Sequence, residues 1–258
     1  MPSSSFRALL SAPLAGALAT LLPVLASAAT PAAADPTLLD LESRIQYSYY
    51  TEDLRALENL AAELATQDSP DGMKSYFGGL ADYRLTQLEA SRDKTKAHDR
   101  GERCASSLDR AVQANKNFAD ALALQSACLG MLADLTPWRA PLAGSKSRSL
   151  MERALRLAPR NPRVLLLDAM GAFERAPNGE DKDRALAKLK KAIVALENER
   201  QDLLHVPGWG LADAYAYLGR VCLDKGDTVA ARDALEHALL AAPQFEQARR
   251  LMTKITSG

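Results

Sequence analysis

The chain holds few residues able to do chemistry, and their spacing assembles no reactive set. Three histidines, His98, His205 and His237, stand far apart, and none falls in the HExxH or HxxxH spacing that sets two imidazoles on one helical face for a metal. No phosphate-cradling glycine loop, GxSxG nucleophile turn, CxxC pair or dinucleotide fingerprint occurs. The doublets Glu52-Asp53 and Glu180-Asp181 offer paired carboxylates for acid–base work. Each stands at an apparent helix start, however, where capping of free N–H groups and the helix dipole account for them. Lys188-Leu189-Lys190-Lys191 reads as the solvated face of a helix. The expectation is a protein that binds rather than catalyses, with no metal and no cofactor. Trp138, in "TPWRAP", and Trp209, in "HVPGWG", lie beside prolines in expected loops. A binding rim is one reading of them. The preferred one is that each covers apolar surface beneath its own loop, with His205 an ordinary loop or capping residue.

Composition narrows the partners. The chain has 258 residues, is 47% apolar, and balances 32 basic against 32 acidic side chains, so nothing in it is built to attract nucleic acid or an anionic membrane. A modest basic bias over residues 101–160 reads as a solvated face. The first residues, "MPSSSFRALLSAPLAGALATLLPVLASAA", carry one cation, Arg7, then an apolar run, then the small-x-small site Ala26-Ser27-Ala28. That is the form of a secretory signal peptide cut after Ala28. Pro13 and Pro23 make the run a poor spanning helix, and no later segment is apolar enough to cross a bilayer. The expected mature protein is periplasmic or secreted from a bacterium, with residues 29–36 a flexible tail and no stable membrane insertion.

After Pro36 nearly everything reads as helix. Aromatic residues are only 5%, β-branched runs are scarce, and Leu38, Leu41, Ile45 and Tyr49 recur at three- and four-residue steps, as do Leu54, Leu57, Leu60 and Leu64. Stops are short: "DSPDG" at 68–72, "APRNP" at 158–162, "APNGED" at 176–181 and "DKGD" at 224–227. Short connections imply antiparallel neighbours. In the segment 214–243 small residues recur at Gly219, Ala231 and Ala238, between the larger Tyr215, Leu218 and Leu235, and Pro243 closes it. Two antiparallel helices approach closely only where side chains are small, and proline ends the second because it cannot extend the hydrogen-bond ladder.

This pattern resembles the tetratricopeptide repeat, a unit of about 34 residues. Matching half-repeats occur at Cys104, Leu108 and Ala111, at Met151 and Ala154 before Pro159, and at Ala185, Leu189 and Ala192; the first hundred residues fit loosely. Segment 136–144 reads as an inserted loop, with further insertions near 176–181 and 198–211. The resemblance implies an all-α fold of antiparallel helix pairs stacked into a right-handed superhelix, an α-solenoid. It spans one domain over 37–256, with repeats clearest at 103–160, 161–197 and 212–245 and a capping helix over 246–256. It further implies a concave groove lined by the first helix of each pair. Carried onto this chain, the groove comprises Arg163, Leu166, Met170 and Phe173 in one unit and Asp213, Ala216, Arg220 and Leu223 in the next, with Asp120, Ala123 and Ala127 before them. Small and apolar residues dominate these positions and Arg220 is the evident cation, so the clamp some members use for a terminal carboxylate is not expected. The function implied is capture of a protein or peptide partner in that groove. The alternative is carriage of a small or lipid-like ligand in an apolar interior. Of the three cysteines, Cys104 and Cys128 lie at similar heights on consecutive antiparallel helices, within reach of a disulfide. Both also stand where small buried residues are wanted, a place free cysteine fills well, and the unbridged reading is preferred, with Cys222 free.

Overall fold

The computed structural model describes residues 36–199 and 206–256, which form eleven α-helices and no strand. They are α1 (Pro36–Tyr50), α2 (Leu54–Ala65), α3 (Met73–Glu89), α4 (Lys94–Ala114), α5 (Ala119–Leu135), α6 (Ala140–Leu157), α7 (Pro162–Glu174), α8 (Gly179–Glu199), α9 (Leu211–Asp224), α10 (Thr228–Ala241) and α11 (Glu246–Thr256). Residues 1–28, expected to form a signal peptide, most of the expected tail and His205 lie outside the described residues.

Local chemistry sets the helix starts. Asp53, Asp93, Asn161 and Asp227 each precede a helix and accept from backbone N–H groups of its first turn, at 2.9 Å for Ala56 and 3.0 Å for Ala230. That satisfies donors the helix itself leaves free. Glu180 and Asp181 occupy the first turn of α8, where the dipole favours anions. Segment 136–144 is not an inserted loop. Pro137–Arg139 makes one 3-10 turn and α6 begins at Ala140 with Pro141 in its first turn, a position where the missing N–H costs nothing.

Consecutive helices pack in pairs: α3 with α4, α5 with α6, α7 with α8 and α9 with α10. Along the stack, α3 packs on α5 and α5 on α7. The odd-numbered helices form the inner layer. The close approach read from segment 214–243 holds in atomic detail, since a Cβ on Gly219 would lie 2.6 Å from Leu235 Cγ and 3.3 Å from the Ala231 carbonyl oxygen. The same device recurs where the sequence fitted loosely: a Cβ on Gly79 of α3 would meet Leu108 Cγ of α4 at 2.5 Å. Cys104 and Cys128 do form a disulfide, tying α4 to α5, and Cys222 is free and buried. The preference for unbridged thiols is therefore corrected; the buried small-residue sites face each other closely enough for both roles.

The two ends of the stack meet. Tyr50 of α1 packs on Phe245, before α11, with ring centroids 4.5 Å apart, and its hydroxyl donates to Asp213 of α9 at 3.1 Å. The Gly208 N–H donates to both carboxylate oxygens of Glu42 at 3.0 Å. Trp209 is 4% exposed, and its Nε1 donates to the Tyr76 hydroxyl at 2.7 Å. It covers the N-terminal helices rather than its own loop. Trp138 is 76% exposed. The shared expectation for the two tryptophans fails in different ways, because only one loop faces the seam between the ends.

Candidate ligand cavity

The odd-numbered helices, together with α6, border a cavity of about 510 Å³. Its floor is aromatic and apolar, from Tyr49 of α1, Tyr83 of α3, Met131 of α5, Leu167 and Met170 of α7 and Phe245. Its wall between α5 and α6 is drawn tight by reciprocal hydrogen bonds: Ser126 Oγ donates to the Ser147 carbonyl at 2.8 Å, and Ser147 Oγ donates to the Ser126 carbonyl at 2.9 Å. Both serines line the space.

Of the groove residues expected from sequence, Met170, Asp213, Ala216 and Arg220 border the cavity, as does Ala127. Arg163 and Leu166 do not; both are fully buried. Arg163 is instead a cross-brace. Its Nε donates to Asp120 at 2.6 Å and its two terminal nitrogens to Glu199 at 2.5 and 2.8 Å, joining α5, α7 and α8. Burial of a guanidinium is tolerated because its donors are met bidentately by carboxylates. Phe173 packs edge-on against Tyr217 at 6.0 Å and carries Lys182 Nζ 5.6 Å above its ring, outside the cavity lining. Leu223 packs against the core and is likewise absent from the lining. The carried-over register therefore holds for one face of α7 and α9 and fails for residues one step around the helix.

Of the two arginines expected in the groove only Arg220 borders the cavity, and the structure adds Arg92, Arg148, Arg175 and Arg250. Arg148 comes from α6, Arg92 from the loop between α3 and α4, Arg175 from the residue that ends α7 and Arg250 from α11, all outside the first-helix positions expected to line the groove. One sequence signal was available. Gly144, Gly171 and Ala216 stand four residues before Arg148, Arg175 and Arg220, and all line the cavity. Helical side chains lean toward the N-terminus, so a small residue one turn earlier lets an arginine lie down along its own helix. A Cβ on Gly171 would meet Arg175 Nη1 at 2.9 Å.

The rim charges are partly matched. Glu52, in the left-handed region at φ 55°, pairs with Arg92 at 2.7 Å and with Arg250. A non-glycine residue there is uncommon, and here it places one carboxylate between Arg92 of the α3–α4 loop and Arg250 of α11. Glu174 accepts from Arg220 and, at 2.9 Å, from the Tyr217 hydroxyl, while Arg220 lies 4.4 Å over the Tyr217 ring. Desolvation, then the adjacent Glu174 charge, hold the Tyr217 phenol well above its ordinary value. Asp213 is neutralised from behind by Arg84. Desolvation and the nearby Glu174 charge push the Asp134 carboxyl up, against the opposing Arg175. Among the described residues no group of three or more His, Cys, Asp or Glu is placed to hold a metal, and no helix is long and apolar enough to cross a membrane.

Comparison of the chain with protein-family models and with curated proteins finds no match. The helical-repeat architecture thus stands on helix pairing and on the glycine–leucine crossings within it.

Proposed function

We propose that the chain is an exported, tetratricopeptide-like binding module that captures a segment of a protein or peptide partner inside its helical stack. The single observation that carries this is convergence: side chains from α1, α3, α5, α7, α9 and α11 border one cavity. Such a surface works by shape and anchors, with the few central apolar groups carrying most of the affinity. Export rests on the leader-like residues 1–28 and a periplasmic destination on their bacterial style.

The test is site-specific photo-crosslinking in the producing cell. A photoreactive residue at Met131, in the cavity, is expected to give discrete protein adducts. The same residue at Val229, 80% exposed on α10, is expected to give none. Adducts from Val229 alone would move the binding surface to the outer layer. A second reading, a small ligand in the same space, is favoured by the meeting of the two ends and by a volume inside the range of about 300–1,000 Å³ usual for small-molecule sites. Five arginines around the space argue for a polar ligand over a lipid-like one. Native mass spectrometry of the mature protein distinguishes the two, because a co-purifying small molecule adds a fixed mass.

A further inference from the structure

We infer that the cavity selects carboxylate-bearing ligands through Arg148, Arg175 and Arg220, whether those carboxylates are acidic side chains of a peptide or belong to a small polycarboxylate. The inference rests on the reading of the cavity as the binding site.

The charges are the first support. With Asp213 already neutralised by Arg84, five arginines at the cavity face three carboxylates, Glu52, Asp134 and Glu174. Glu52 is shared between two arginines and Glu174 is engaged by Arg220. Arg148 and Arg175 make no ion pair or hydrogen bond through their guanidinium groups among the described residues, although both border the cavity. The Arg220 Nε is a buried donor without a hydrogen-bond partner in the described structure. A buried N–H left unpaired costs free energy that a ligand oxygen would recover.

Positioning is the second support. Gly171 leaves the space that the Arg175 head occupies, and Gly144 lies 3.8 Å from Arg148 Nη1 by the same measure. Both arginines are exposed residues that border the cavity, open to a ligand as well as to solvent. Guanidinium forks match the two oxygens of a carboxylate and bind it bidentately. The apolar floor then favours ligands that alternate acidic with apolar groups, and the arginines, drawn from α6, α9, α11 and the connections after α3 and α7, exclude cationic ones by repulsion.

The test uses the mature full chain and calorimetric titration with three probes. They are a capped pentapeptide alternating glutamate and leucine, its twin with glutamine for glutamate, and citrate. The acidic peptide or citrate is expected to bind about tenfold or more tightly than the glutamine twin. That preference is expected to vanish in Arg148→Glu/Arg175→Glu, whose melting temperature should stay close to the parent's because neither side chain makes an internal pair. A second variant, Ala127→Trp, fills the cavity without touching charge and should abolish binding of every probe. Equal binding of both peptides, or an acidic preference that survives the double charge reversal, overturns the carboxylate inference. If the cavity-filling variant still abolishes binding in that case, the cavity itself stands as the site. Undiminished binding to Ala127→Trp overturns both. Citrate binding with no peptide binding keeps the carboxylate chemistry and overturns the peptide reading.

Discussion

Arg84 of α3 holds Asp213 of α9 at 2.8 Å, with the two side chains only 1% and 7% exposed. The guanidinium also lies 4.1 Å over the Tyr49 ring and 5.0 Å from that of Trp209, and it donates to Gln46 and Gln87 at 3.0 Å. One cation thereby clasps the first helix, the third helix and the C-terminal end of the stack together.

Removing either partner should therefore leave a buried charge unmatched. Arg84→Met and Asp213→Leu are each expected to cost about 3–5 kcal/mol, and the double variant less than their sum. Urea unfolding of the three variants measures this. Strict additivity would show that the pair is not coupled. Arg84→Lys should also destabilise, since an ammonium cannot both fork to Asp213 and spread over Tyr49.

The crossing of α9 and α10 sets the second expectation. Any β-carbon at Gly219 must displace Leu235, so Gly219→Ala should destabilise measurably and Gly219→Leu by about 1–3 kcal/mol or more. Gly79→Leu, against Leu108, should behave alike. Thermal melts followed by circular dichroism decide it, and a leucine variant as stable as the parent would place the crossing elsewhere.

Stability should also depend on Glu42. Burial raises its carboxyl to about 7, the Gly208 N–H and then the Arg163 charge opposing, the Glu199 charge adding and Arg84 opposing again. The folded group keeps its proton to higher pH than the unfolded chain does. Its contribution is therefore complete below the unfolded value, near 4.5, and is lost as pH rises to about 7, by about 3 kcal/mol. Glu42→Gln retains an acceptor for Gly208 and removes the titration. The parent's stability should fall more between pH 5 and 7 than the variant's, and parallel curves would exclude the effect.

The tryptophans should report different environments. Trp138→Phe leaves only the buried Trp209, whose emission should be blue-shifted and resistant to acrylamide. Trp209→Phe leaves the exposed Trp138, red-shifted and readily quenched. Matching spectra for the two variants would mean that the ends of the stack do not meet.

Thiol titration of the unfolded, unreduced chain should find one reactive group, Cys222, and full reduction should find three. Reduction is expected to destabilise by about 2–4 kcal/mol. Three thiols before reduction would rule out the bridge.

The sequence by itself determined the helices, their starts and their pairing. Those properties are local: Asp53 or Asp227 caps a helix through atoms two or three residues away, and Gly219 and Leu235 meet across one short turn. Even the arginines of the cavity left a local trace in the small residues one turn before Arg148, Arg175 and Arg220. Only the tertiary structure decided which faces look inward, because small rotations per repeat accumulate along the stack and no single repeat contains their sum. Met170 of α7 and Arg220 of α9, at corresponding positions, both border the cavity, whereas Arg163, in the first turn of α7, is a buried brace between Asp120 and Glu199. The meeting of Glu42 with Gly208, of Tyr76 with Trp209 and of Arg84 with Asp213 joins residues more than a hundred positions apart, and no periodicity encodes such pairs. The closure, and with it the cavity, follows from where the stack's curvature brings its two ends.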